Sequence, residues 1–291
     1  EETITQTARR YHLPHRRVRA GSTLVPAVSP EIRSVLPLVA AVSVGTVSFL
    51  GVVVWLLAID PPKGSTTLGA LALLGSAVIS EAFPVPIEGV SAGRTSLATV
   101  FIVAAAVIYD WRIAGVVGFL TMAAVEIVRR RALVRISFNA GMYTLAAAAA
   151  GATAAAFGEG SLLRLCIVAL VVSTVFYVVN IGLLGLLIAR LRAQRVLKTL
   201  WGTLISTTVP FAIMASLSIT LVASWNRSPY LAIALVGPLV SIALYQRRQH
   251  ETLDRLRELD RMKDEFIAIT SHELRTPLAS VYGAAMTLQR H

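Results

Sequence analysis

The chain is poor in charge and in cysteine. Only 15% of its 291 residues are Asp, Glu, Lys or Arg, against roughly 25% in a soluble globular domain, and 55% are hydrophobic. With a mean hydropathy of +0.70, such a composition places most of the chain in a membrane. The single cysteine, Cys166, lies inside an apolar run, which excludes an intrachain disulfide. No Cys/His spacing of the zinc type occurs, so no metal ligands are assigned, and no Gly-x-x-x-x-Gly-Lys phosphate loop is present. Acidic residues are also scarce, 16 against 27 basic ones for a net charge of +11. The basic residues sit in short clusters between apolar runs, with no basic face interleaved with aromatics. That placement points to charges that set membrane topology and away from nucleic acid. The first residue is Glu1 and the last His291, so both ends are expected to lie inside a longer protein. The first apolar run is too long, and begins too late, for a cleavable signal peptide.

Eight apolar stretches follow: Val35–Ala58, Thr67–Phe83, Ser96–Tyr109, Ile113–Val128, Phe138–Phe157, Leu162–Ala189, Leu200–Ser224 and Tyr230–Tyr245. They predict an all-α fold, a polytopic helix bundle of about eight spans. A bilayer-crossing helix needs about 20 apolar residues, with a range of roughly 17–25. The first and the fifth to seventh stretches are long enough, whereas the others are near or below the limit. The third and fourth are joined by Asp110-Trp111-Arg112 and form either a re-entrant hairpin or two spans. Eight crossings put both ends of the chain on one side. On that side lie Arg129, Arg130, Arg131 and Arg135 in one connection and Arg190, Arg192, Arg195 and Lys198 in another. The opposite connections hold Lys63, Arg112, Arg164 and Arg227, about one each. This bias predicts cytoplasmic termini in a multi-pass membrane protein. The external connections are too short for a folded sensor domain. A stimulus must therefore reach the helices themselves, as a membrane lipid, a lipophilic molecule, a small solute, a partner membrane protein or bilayer tension.

Several residues at membrane depth are candidates for more than packing. Glu81 is either a buried ligand or proton site or an interfacial carboxylate facing water. Glu126, close to Arg129, is expected to be a juxtamembrane charge, and Asn180 an interhelical hydrogen-bonding group. Pro210 and Pro238 are expected to kink their helices, as static bends or as hinges. The Ala-rich run from Thr144 to Ala156 allows close helix approach and is expected inside the bundle.

After Tyr245 the composition turns highly charged. Leu253, Leu256, Leu259, Met262, Phe266 and Ile269 recur every three or four residues, an apolar helical stripe with charge on the other faces. A parallel two-stranded coiled coil, hence a homodimer, fits this stripe better than a lone amphipathic helix. The expected organisation is a basic cytoplasmic arm over 1–34, a transmembrane sensor bundle over 35–245, a coiled-coil linker over 246–262 and an acceptor and dimerisation segment over 263–291.

The last segment contains Ser271-His272-Glu273-Leu274-Arg275-Thr276-Pro277-Leu278. This run resembles, without a gap, the phosphoacceptor motif of the sensor histidine kinases of two-component systems. The resemblance covers only about the last forty residues, and it implies that His272 takes a phosphoryl group from ATP. The chemistry accounts for its neighbours. A histidine with an ordinary pKa near 6.5 is largely neutral at cytoplasmic pH, as a nucleophile must be. Its Nε2 attacks the γ-phosphorus in line, while Glu273 can accept the Nδ1 proton, fix the tautomer and raise the basicity of Nε2. Thr276 lies four residues on, along the same helical face. In the resembling family a Glu-x-x-Thr pattern after the histidine positions water for dephosphorylating the response regulator, so a bifunctional kinase and phosphatase is implied. Pro277 is expected to bend the helix just after the reactive turn. Arg275 reads as a solvated surface residue, and His12, His15, His250 and His291 have no comparable context.

A kinase of this family also needs an ATP-binding domain that holds ATP and Mg2+, and the second helix of the dimerisation hairpin. Neither fits in the nineteen residues after His272, so this stretch by itself is expected to be inactive. The implied partners are a second copy of the chain, a cytoplasmic response regulator and membrane lipid. Two alternatives remain at this point: a membrane phosphorelay or scaffold protein phosphorylated in trans, and a transporter-like receptor without catalysis of its own.

Overall fold

A computed structural model describes residues 30–83, 85–86, 94–158, 160–228, 237–238, 241, 245, 248, 252–253 and 255–271. Among these residues seven helices precede the charged C-terminal region: α1 Pro30–Ile59, α2 Gly64–Ala82, α3 Ala98–Ile108, α4 Trp111–Val128, α5 Leu133–Ala155, α6 Leu162–Leu191 and α7 Val196–Arg227. Between α2 and α3 a minimal antiparallel ladder pairs β1, Val85–Pro86, with β2, Arg94–Thr95.

Among the described residues five helices are long and apolar enough to cross a membrane: α1, α2, α4, α6 and α7. Of the eight expected spans, two are corrected, for separate reasons, and the eighth lies largely outside the described residues. At about 1.5 Å per residue, the eleven residues of α3 reach roughly half-way across a hydrocarbon core about 30 Å thick. It is neither a full span nor half of a re-entrant pair. Instead α3 is enclosed by α2, α4, α5, α6 and α7, with Val100, Phe101, Ile102 and Val103 fully buried. A helix that is apolar all round belongs inside such a ring. The 23-residue α5 is long enough, but Asn139, Gly141, Thr144, Gly151 and Thr153 dilute its apolar character. It lies against α1, α3, α4 and α6, where small residues pack better than lipid-facing ones. As expected, Thr144, Ala146, Ala147 and Ala150 of the Ala-rich run are fully buried. The eighth stretch falls outside the described residues except for isolated positions, of which Gly237, Pro238, Ser241 and Tyr245 are helical.

The surface of the spanning helices is apolar. Val44, Val47 and Trp55 of α1 are 67, 71 and 62% exposed, and Trp201, Ile205 and Val209 of α7 are comparably open. Contiguous apolar exterior of this kind is stable against lipid and not against water.

Contacts between helix ends sort the connections into two layers. At one end Ser34 Oγ donates to the Arg190 carbonyl at 3.4 Å and Arg129 bonds to the C-terminus of α2. At the other, Arg112 meets Asp60 at 3.6 Å, and the Tyr109 ring packs edge-on against Trp225 at 6.2 Å. The two basic connections, Arg129–Arg135 and Arg190–Lys198, both lie at the first end. Both are tight turns closed by a left-handed residue that is not glycine, Arg130 at φ 52° and Ala193 at φ 48°. In each, the next amide reaches back five residues, Arg131 to the Glu126 carbonyl and Gln194 to that of Ala189, as in a Schellman cap. At the opposite end Asp110 caps α4 by accepting from the Ile113 amide at 2.9 Å, while its second oxygen holds Arg112. The described connections there are short.

Candidate functional site

Charged side chains inside the bundle gather at the end that holds the basic turns. Glu81, in the last turn of α2, is 7% exposed, and Glu126, in the last turn of α4, is 4% exposed. Arg129 serves both chain ends there. Its guanidinium donates to the Glu81 and Ala82 carbonyls at 2.8 and 3.3 Å, and lies 3.8 Å from the Glu81 carboxylate. A cation on the unsatisfied carbonyls of a helix C-terminus is favoured by hydrogen bonding and by the helix dipole. Glu126 accepts from Asn139 Nδ2 at 3.0 Å and faces Arg135 Nε at 3.7 Å, which ties α4 to the first turns of α5. Two carboxylates and two guanidiniums balance, as buried charge requires.

Two expectations are corrected by this arrangement. Glu126 is not a juxtamembrane charge in water but a buried tie between two helices, because the tight turn at Arg130 folds Arg135 and Asn139 back over it. Of the two readings of Glu81, the water-facing one fails, since Arg129 closes over the carboxylate. One oxygen of each carboxylate, and Ser80 Oγ, has no hydrogen-bond partner. Asn180, expected to bond between helices, likewise leaves its buried Nδ2 without a partner. The α6–α7 contact is carried instead by Tyr177, whose hydroxyl meets Thr207 Oγ1 at 2.6 Å and whose ring stacks on Phe211 at 4.3 Å. Sequence reasoning passed over Tyr177 because neither it nor Thr207 breaks the apolar pattern of its helix. Pro210 lies within α7, near its midpoint, whereas Pro238 is a helical and exposed position.

Residues 255–271 are continuously helical. Leu256, Leu259, Met262, Phe266 and Ile269 are each at least half exposed along it, so the stripe found in the sequence lies on one folded helix and faces outward. Local bonds support this helix, including Lys263 to Asp260 at 3.3 Å and Thr270 Oγ1 to the Phe266 carbonyl at 2.8 Å. The helix is described up to Ser271. His272, Glu273 and Thr276 lie outside the described residues, immediately beyond it.

Residues 262–291 match the family model of the His Kinase A (phospho-acceptor) domain. This stretch is similar to a phospho-acceptor domain. The match begins at Met262, on the described helix, and takes in the whole motif around His272. The phospho-acceptor segment therefore agrees with the resemblance to sensor histidine kinases drawn from the motif alone. No curated protein and no solved structure matches the chain. The phospho-acceptor segment thus stands on its family model, and the bundle ahead of it on its own physics.

Proposed function

We propose that this protein is an integral-membrane sensor histidine kinase. The observation that carries the reading is the phospho-acceptor match over 262–291, on a helix that follows five helices able to cross a membrane. In this reading residues 1–34 form a cytoplasmic basic arm, 35–245 the sensor bundle, 246–262 a coiled-coil linker and 263–291 the acceptor and dimerisation segment. The gathering of Arg129, Arg130, Arg131, Arg135, Arg190, Arg192, Arg195 and Lys198 at one end of the bundle supports a cytoplasmic assignment for that end. In this reading both termini are cytoplasmic, which requires one more crossing after α7, whose last turn carries Trp225 at the opposite end. The outward stripe from Leu256 to Ile269 supports a homodimer whose paired helices bury it.

His272 is the phosphoacceptor. Its Nε2 lone pair forms the new N–P bond as the bond from the γ-phosphorus to the ADP oxygen breaks, and ADP leaves. Glu273 takes the Nδ1 proton and thereby keeps Nε2 nucleophilic. Transfer to an aspartate of a response regulator restores the neutral imidazole, and Glu273 with Thr276 holds the water that later hydrolyses the acyl phosphate. A separate ATP-binding domain supplies ATP with Mg2+, which neutralises charge on the transferred phosphoryl group.

The test is labelling of the full-length protein in membranes with γ-labelled ATP. His272→Gln should abolish acid-labile label. Thr276→Ala should keep the label while slowing regulator dephosphorylation by roughly tenfold or more, in line with the loss of one positioning group. Acid-labile label retained by His272→Gln would sink the acceptor assignment.

A further inference from the structure

The end of the bundle that holds the two basic turns carries more positive charge than its own carboxylates can meet. Glu81 and Glu126 are taken up by Arg129 and Arg135. Arg130, Arg131, Arg190, Arg192, Arg195 and Lys198 are all exposed. Among the described residues none of these six forms an ion pair with a carboxylate. The opposite end is balanced differently, since Arg112 there has both Asp60 and Asp110 as partners.

Open apolar side chains stand directly beside these cations. Val128 and Leu133, on either side of Arg129–Arg131, are 82 and 80% exposed, and Leu197, next to Lys198, is 80% exposed. Trp201, less than a turn further along α7, is open as well. A partner made of charge alone, such as free phosphate or nucleic acid, leaves those side chains in water. A phospholipid meets both needs, its phosphate on the cations and its chains on the apolar residues. The guanidinium fork suits phosphate oxygens. Each basic residue near an anionic membrane surface strengthens association about fivefold.

We propose that the two basic turns are binding sites for anionic phospholipid, one at Arg130–Arg131 and one at Arg192–Arg195. In each, the lipid phosphate lies on the cations and the upper acyl chain lies along the apolar side chains beside them. The sites do not depend on the kinase reading.

Native mass spectrometry tests this on the full-length protein, released from micelles holding equal amounts of phosphatidylglycerol and phosphatidylcholine with identical chains. Two phosphatidylglycerol molecules per protomer are expected, favoured over phosphatidylcholine by about tenfold or more, the effect of two cations at each site. Arg130→Gln with Arg131→Gln should remove one of them, and Arg192→Gln with Arg195→Gln the other. All four changes together should bring the preference below about twofold. Lys63→Gln with Arg227→Gln, at exposed positions of the opposite end, should leave it unchanged. Circular dichroism checks that each variant keeps its helices. A preference below about tenfold in the unaltered protein overturns the proposal, as does one above about twofold in the folded fourfold variant. A loss in the Lys63 and Arg227 variant equal to that in the fourfold one also overturns it, because the charge then acts without regard to place. Glycerol 3-phosphate retained as well as the lipid overturns it too, since the chains then add nothing. The assay reads no phosphoryl transfer, so its failure and that of the kinase assignment are separate results.

Discussion

The α4–α5 and α6–α7 hairpins close with the same kind of turn and are packed in opposite ways. Across the α4–α5 seam the backbones touch. A Cβ added at Gly118 would stand 3.0 Å from the Tyr143 carbonyl oxygen, and one at Gly151 only 2.5 Å from Trp111 Cα. The seam is then tied by Glu126, Asn139 and Arg135. Across the α6–α7 seam lie a stacked ring pair, a proline, an unmet amide and a cavity. Interiors that are close-packed transmit force without changing shape, whereas a seam with space and a missing backbone donor has more than one way to settle. In the proposed kinase the tight hairpin acts as scaffold and the loose one as the moving part.

Breaking the scaffold should have the largest effect on stability. Gly151→Val forces a branched side chain against the Trp111 backbone, and should lower unfolding stability in detergent by about 3 kcal/mol, the upper range for overpacking. Thermal unfolding followed by circular dichroism measures it, and a loss under 1 kcal/mol would mean that the seam is not tight. Glu126→Leu removes the acceptor of Asn139 and the partner of Arg135, with an expected loss of about 2 kcal/mol. Glu126→Gln, which keeps an acceptor for Asn139, should lose less than half of that.

Changes to the loose hairpin should be smaller in stability and larger in signalling. Pro210→Ala restores an amide to the middle of α7 and should stabilise the protein by about 1 kcal/mol, the net value of one hydrogen bond. The same variant should blunt the change in phosphorylation between resting and stimulated membranes. An unchanged response would assign Pro210 to a static bend. The smallest effect concerns the turn itself. A left-handed non-glycine residue costs about 1–2 kcal/mol, and glycine's extra chain entropy offsets about 0.5–1 of that. Ala193→Gly should therefore raise stability by about 0.5 kcal/mol, measured in the same melt.

Much of this was legible in the sequence, for identifiable reasons. Long apolar runs gave the helices α1, α6 and α7, since length and hydropathy decide them locally. The Ala-rich character of α5 gave its burial. The depth of α3 was not legible, because an apolar run of eleven residues looks the same whether rings of protein or lipid surround it. The role of Glu126 could have been found: Glu126 and Arg135 stand equally far from the turn at Arg130–Arg131, and a hairpin brings such positions opposite each other. Asn180 and Thr207 are likewise equidistant from Ala193–Gln194, yet symmetry alone does not show that the Asn180 amide goes unmet. The acceptor motif was legible without any structure, since its specificity lies in the order of residues around His272.

Loss of labelling in a mutant can follow from misfolding, so the most direct measurement locates the phosphoryl group itself. Membranes holding the full-length protein are incubated with ATP and Mg2+, digested at neutral pH, and analysed by electron-transfer fragmentation mass spectrometry. The account predicts phosphate on His272. Phosphate on Ser271, Thr270 or any other residue, with His272 unmodified, would contradict it.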